Sequence, residues 1–227
     1  MDCGIGIRDS NWVIWDWNGT LLDDLWLTLN VTNTLLAERG IGHLNQTQYR
    51  AVFGFPLQRY YSRIGFDFGK DSFDDLANEW CPLYEKEKER CSLFPGVASL
   101  VSLLWLGGWN QVILSAYEDK KLKTFVSEYA IGKCFSEICG LDNDKGHGKI
   151  ELGSDFAEKN LNKFNRNRAV YVGDTIHDAE VARAMKINCI LISHGHQNRD
   201  RLESTGCDVV DCVEELSDKL RKWQEGN

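Results

Sequence analysis

The 227-residue chain has no C-x-x-C pair, no basic stripe, no internal repeat, no low-complexity tract and no apolar stretch long enough to span a membrane. Each absence closes a class. None of the eight cysteines has zinc-ligand spacing, and no histidines complete such a pattern. Reduced thiols in apolar stretches are expected instead, as for Cys189 in "INCILIS". Lysines and arginines are interleaved with acids, as in "YEKEKER" (84–90), which reads as a solvated helix face. With a net charge of −8, nucleic acid is not an expected partner. The first residues, "MDCGIGIRDSN", lack the basic flank and apolar core of a signal peptide. The expectation is a soluble, cytoplasmic protein with no membrane partner.

Hydrophobic residues make up 43% of the chain, so a substantial core is expected, with most of the eight tryptophans packed in it. Short apolar runs read as strands: "WVIW" (12–15), "QVILS" (111–115), "AVYVG" (169–173), "CILIS" (189–193), "DVVD" (208–211) and "SEICG" (136–140). They are continuous rather than alternating, as in a parallel sheet covered on both faces. Helical patterns separate them. Val97, Leu100, Val101 and Leu104 share one face, as do Leu122, Phe125, Val126 and Tyr129, and "DAEVARAMKI" follows Gly173. This alternation predicts an α/β fold with a doubly wound parallel sheet. From Leu21 to about Arg90 only helical patterns occur, with Pro82 predicting a kink or boundary and "LANEW" (76–80) reading as core helix. The predicted organisation is an α/β core of residues 1–20 and 92–227 with an all-helical cap at 21–91.

Open α/β sheets bind ligands beyond the carboxyl ends of their strands. Three predicted strands end there in polar residues: Asp16, Ser115, and Asp174 with Asp178 in "VGDTIHD". Converging carboxylates repel one another, which implies a hard cation such as Mg²⁺. A carboxylate beside a metal can attack phosphorus in line and form an aspartyl-phosphate. Ser115 could hold a phosphate oxygen, and the glycine-rich "KGHGK" offers Lys149, or Lys145, as the balancing cation.

With these motifs the chain resembles the haloacid dehalogenase-like superfamily of phosphohydrolases. It is most similar to the phosphoglycolate phosphatase-like branch, which carries a helical cap after its first motif. The resemblance rests on "DWNGT" (16–20), "VILS" ending at Ser115, Lys149 and "GDTIHD" (173–178), in that order, with "FPGV" (94–97) and "LISHGHQ" (191–197) beside them. It implies an Rossmann-type core and Mg²⁺-dependent hydrolysis of a small phosphorylated metabolite, with phosphoglycolate as the default. Asp16 becomes nucleophile and metal ligand. The backbone carbonyl of Asn18, Asp174 and Asp178 become further metal ligands, and Ser115 and Lys149 hold the phosphoryl group.

One position departs from the pattern. The family's second aspartate, which gives and takes the proton, is here Asn18, and an amide cannot transfer a proton at neutral pH. General acid–base catalysis is typically worth about 10²–10⁴-fold. Four readings follow: a proton from His177, Asp23, Asp24, Tyr60, Tyr61 or water; substrates with good leaving groups; a slow enzyme; or a phosphate-binding protein without turnover. Arg59, with Tyr60 and Tyr61 in a short cap helix, is a candidate substrate contact. His147, His194 and His196 are expected in surface loops.

Overall fold

The computed structural model describes residues 10–143, 145–146, 148–161 and 163–226. Cys3, and His147 with its expected surface loop, lie outside the described residues. Strand β1 (Trp12–Trp15) is followed by a two-residue strand β2 (Leu22–Asp23) and four helices, α1 (Leu25–Glu38), α2 (Gln46–Val52), α3 (Leu57–Arg63) and α4 (Phe73–Glu87). A second short strand, β3 (Ser92–Leu93), leads into α5 (Val97–Leu106), β4 (Asn110–Glu118), α6 (Asp119–Ser127) and β5 (Glu137–Leu141). The chain ends with α7 (Lys149–Asn160), α8 (Lys163–Asn167), β6 (Ala169–Gly173), α9 (Ile176–Met185), β7 (Asn188–Ile192), α10 (Arg199–Glu203), β8 (Asp208–Val210) and α11 (Val213–Gly226).

Six strands form a parallel sheet in the order β5-β4-β1-β6-β7-β8. The period-2 pleat sorts β1 into two faces. Val13 and Trp15 pack with Val101, Phe125 and Leu220 of α5, α6 and α11. Trp12 and Ile14 pack with Phe156 of α7 and Val181 and Met185 of α9. Both faces are therefore dry, which is why the strands read as unbroken apolar runs. Each fully buried aliphatic side chain of this kind contributes about 1.5–3 kcal/mol. Strand order reverses at β1, which lies between β4 and β6, so the crevice between their carboxyl ends opens beyond Trp15.

Helices α1–α4 have their own apolar cluster, including Leu35, Leu36, Tyr49, Tyr60 and Leu76. The segment is not wholly helical as expected. β2 and β3 pair antiparallel at its two ends, Leu22 opposite Leu93 and Asp23 opposite Ser92. Two residues are too few to leave a period-2 pattern in the sequence. Helix α4 also runs through Pro82 rather than ending there. Among the described residues, no helix is long and apolar enough to cross a membrane.

Candidate active site

The turn after β1 places the first group. Asp16 follows Trp15 directly, donates its backbone N–H to the Val172 carbonyl (2.9 Å), and is buried. Gly19 then turns with φ +72°, and a Cβ there would collide with the Asp174 carboxylate and the His196 ring. Only glycine meets both demands. From β4 comes Ser115, 2% exposed. After β6, Thr175 caps α9 in a reciprocal box with Asp178. At the start of α7, Lys149 points its ammonium inward and is 3% exposed.

These groups meet. Lys149 Nζ donates to Asp16 Oδ1 (2.7 Å) and to Asp178 Oδ1 (2.6 Å). Asp16, Asp174 and Asp178 each offer an oxygen within 4.8 Å of the others. Asp174 Oδ1 accepts from Thr20 Oγ1 (3.0 Å) and Oδ2 from the His196 backbone N–H (2.6 Å). Asp178 Oδ2 is engaged by the Thr175 hydroxyl (2.7 Å) and backbone N–H (3.0 Å). Lys145, the other lysine of the glycine-rich loop, pairs instead with Asp74 at 2.7 Å.

The electrostatics are those of an anionic cluster short of positive charge. Burial pushes the Asp16 carboxyl up to about 8; Lys149 opposes this, while Asp178 and Asp174 add to it. Burial likewise lifts Asp174 to about 6. Asp178 is also desolvated, yet Lys149 and Thr175 bring it below the ordinary carboxylate range. Lys149 is desolvated too, but Asp16 and Asp178 hold it firmly protonated. Three buried carboxylates against one lysine form an all-oxygen donor set with charge left over, which fits a hard divalent cation. Each of the three carboxylates offers one oxygen to such a cation.

Asn18 faces a second carboxylate that sequence reasoning weighed only as a proton source. Its amide nitrogen donates to Asp24 Oδ2 and Tyr84 Oη, both at 2.8 Å, and Tyr84 donates to the same Asp24 oxygen at 2.8 Å. Asp24 Oδ1 accepts from the Gly19 backbone N–H (2.9 Å) and faces His196 Nε2 at 3.2 Å. Asp24 is 1% exposed. Burial alone would raise its carboxyl, but His196, Asn18 and Tyr84 overcome that and hold it low. His196 was expected in a surface loop and is instead 5% exposed. Its other ring nitrogen faces the Tyr49 hydroxyl at 2.9 Å. Desolvation favours the neutral ring, yet Asp24, Asp174 and Asp16 together lift it to about 9. Its "HGH" setting carries no ligand spacing, so only the fold reveals this burial.

A cavity of about 160 Å³ lies over the cluster. Asp16, Asn18, Ser115, Lys149, Asp174 and His196 form its floor, and α3 and α4 with the α2–α3 connection supply much of the wall. Leu76 and Trp80 of "LANEW" and Glu85 of "YEKEKER" belong to that wall, so neither stretch is only packing or solvated face. Of the proton sources considered, Asp24 and Tyr61 line the cavity. His177 does not: it stacks on Phe55 and pairs with Glu180 at 2.9 Å, over a separate groove that also holds Arg59.

The family model for haloacid dehalogenase-like hydrolases matches residues 13–192. A phosphoglycolate phosphatase of Pseudomonas savastanoi pv. phaseolicola is 24% identical over 217 residues, covering 90% of this chain and 77% of the relative. An N-acetylmuramic acid 6-phosphate phosphatase of Pseudomonas putida is 22% identical over 201 residues, covering 87% and 90%. In three dimensions, a predicted phosphatase from Clostridium acetobutylicum superposes with a TM-score of 0.78 at 19% identity, over 94% of this chain and 99% of that one. From the match across most of its length, this chain belongs to the haloacid dehalogenase-like hydrolase family.

Proposed function

We propose that the protein is a phosphatase that hydrolyses the phosphate ester of a small metabolite through an aspartyl-phosphate on Asp16. The observation that carries this reading is the Lys149 ammonium between Asp16 and Asp178, with Asp174 completing the cluster at the switch point of the sheet. Asp16 attacks phosphorus, and the bond to the leaving oxygen breaks as the new P–O bond forms. Water then attacks the aspartyl-phosphate, releasing phosphate and restoring the carboxylate. Ser115 and Lys149 hold phosphoryl oxygens; Asp178 aims Lys149. Asp16, Asp174 and the Asn18 carbonyl would hold Mg²⁺, with Asp178 beside them. When bound, Mg²⁺ offsets the negative charge that otherwise separates carboxylate and phosphate. Residues 21–91 act as a cap on a core of 1–20 and 92–227, excluding water from the reaction.

Asn18 supports a second reading, a phosphate-binding protein without turnover, because its amide cannot exchange a proton and is bonded to Asp24 and Tyr84. Phosphate release in Mg²⁺ separates the two. Phosphoglycolate, named in the relatives' activity, and a panel of other esters and acyl phosphates are assayed with wild type, Asp16→Asn and Asn18→Asp. Turnover by wild type that Asp16→Asn abolishes supports the phosphatase. An inert wild type beside an active Asn18→Asp supports the binder and sinks the first reading.

A further inference from the structure

We infer that the alcohol released at this site is uncharged and aromatic, so that the substrate class is the aryl phosphate monoesters; this rests on the phosphatase reading of the same site. Three observations converge on it.

The first is the wall. Beyond Asp16 the cavity is lined by Phe53, Phe55, Leu57, Tyr61, Leu76 and Trp80. The Trp80 and Tyr84 rings stack at 5.0 Å with an interplanar angle of 17°, presenting a flat aromatic surface. Such a wall favours a planar apolar group by burial and ring contact.

The second is charge. Among the described residues lining the cavity, Lys149 and His196 carry the positive charge. Lys149 is held between Asp16 and Asp178, and both ring nitrogens of His196 are engaged by Tyr49 and Asp24. The other ionisable groups on the upper wall include two carboxylates, Glu85 and Glu118. Glu85 pairs with Lys88 at 2.8 Å and accepts from the Tyr117 hydroxyl, and Glu118 caps α6 through the Lys121 N–H. A leaving group with its own carboxylate, such as glycolate, would be desolvated beside Glu118 and Glu85, and the lysines nearest that wall, Lys88 and Lys121, are already drawn to Glu85.

The third is the proton. Position 18 cannot protonate the leaving oxygen, and the one hydroxyl proton of Tyr84 goes to Asp24. A phenol ionises near pH 10, as the tyrosine side chain does, against about 15.7 for water. A phenolate therefore departs without acid assistance where an alkoxide does not. In the first step the Asp16–phosphorus bond forms, the phosphorus–aryloxy bond breaks, and the phenolate leaves with the electron pair and is protonated by solvent. Water then cleaves the aspartyl-phosphate.

The test uses the full chain with Mg²⁺. Steady-state hydrolysis of 1-naphthyl phosphate, phosphoglycolate and acetyl phosphate is compared, with Asp16→Asn as control. Calorimetry compares naphthylmethylphosphonate with phosphonoacetate, neither of which turns over. Roughly tenfold or greater preference for the aryl member of each pair is expected, the discrimination an apolar pocket typically gives. Leu57→Arg, at a partly exposed position, should shift that preference toward the carboxylate-bearing member. Asp16-dependent hydrolysis of acetyl phosphate with no aryl preference overturns the inference alone. No turnover of either ester or of acetyl phosphate overturns the phosphatase reading and the inference with it.

Discussion

Asn18→Asp is the substitution that restores the family's usual carboxylate, and the structure predicts that this chain resists it. The new oxygen would stand where the Asn18 amide nitrogen is, 2.8 Å from Asp24 Oδ2. Two unit charges at that distance repel by about 6 kcal/mol at an effective dielectric of about 20. Each carboxylate spreads its charge over two oxygens and the site relaxes, so about half, ~3 kcal/mol, is the working figure. That corresponds to a folded pKa raised by about 2 units, from about 3.9 to about 6. A carboxyl raised on folding destabilises the native state only above its unfolded pKa. The penalty is absent below about pH 4, reaches ~1.5 kcal/mol at pH 5, and levels near ~3 kcal/mol above about pH 6. Urea unfolding in metal-free buffer at pH 5 to 8 measures it. Adding Asp24→Asn removes the second carboxylate, and relative to Asp24→Asn alone the pH-dependent penalty should vanish. A penalty that is flat with pH, or under about 0.5 kcal/mol throughout, would refute the contact on which the reasoning stands.

Lys149→Met strands Asp16 and Asp178 without their cation, and a loss of roughly 3–5 kcal/mol at pH 8 is expected. The loss should shrink at pH 5, where the stranded Asp178 carboxyl, raised once its cation is gone, takes up a proton; Asp16, already raised to about 8 beside the lysine, holds its proton at both, and equal losses at pH 5 and pH 8 in urea titrations would contradict it. His196 has its folded pKa raised to about 9. Its stabilising pair with Asp24 is fully present below its unfolded pKa, about 6.5, and lost as pH rises through 9, a change of roughly 3 kcal/mol. His196→Gln should remove that part of the slope, as read by stability curves of both proteins from pH 6 to 10. Mg²⁺ should raise the Tm of wild type, by the equivalent of about 2.7 kcal/mol at a hundredfold excess over Kd. Asp174→Asn should abolish the rise, and identical Tm values for wild type in Mg²⁺ and in EDTA would count against the metal site.

The fold was legible because its strands are buried on both faces. Residues 12–15 and 169–173 announce themselves as unbroken apolar runs, and the polar residue that ends each run falls at the same edge of the sheet. Asp16, Ser115 and Asp174 could be read together for that reason, and Lys149 because converging carboxylates call for a cation and the glycine-rich "KGHGK" offers one; that a helix starts on it after Gly148 only the structure shows. The structure gathers these residues round one cavity and leaves Arg59 over another groove. What the sequence concealed is whatever depends on three-dimensional closure. Strands β2 and β3 are two residues each and lie about 70 positions apart, so neither has a pattern of its own. His196 looks like any loop histidine until Tyr49, 147 positions away, and Asp24, 172 away, close on its two nitrogens.

Asp24 is the informative failure. In the sequence it is one of two adjacent acids near the start of the cap, offered only as one of several proton sources. In the fold it accepts from Asn18, Tyr84 and the Gly19 backbone and faces His196, joining the turn after β1 to α4 and to the β7–α10 loop. The carboxylate missing at position 18 therefore has a counterpart one contact away, and its charge is already satisfied. An aspartate at 18 and one at 24 compete for the same donors, so the amide at 18 is the residue that this network requires. The substitution that looked like the loss of one catalytic group is, in this chain, half of a matched pair.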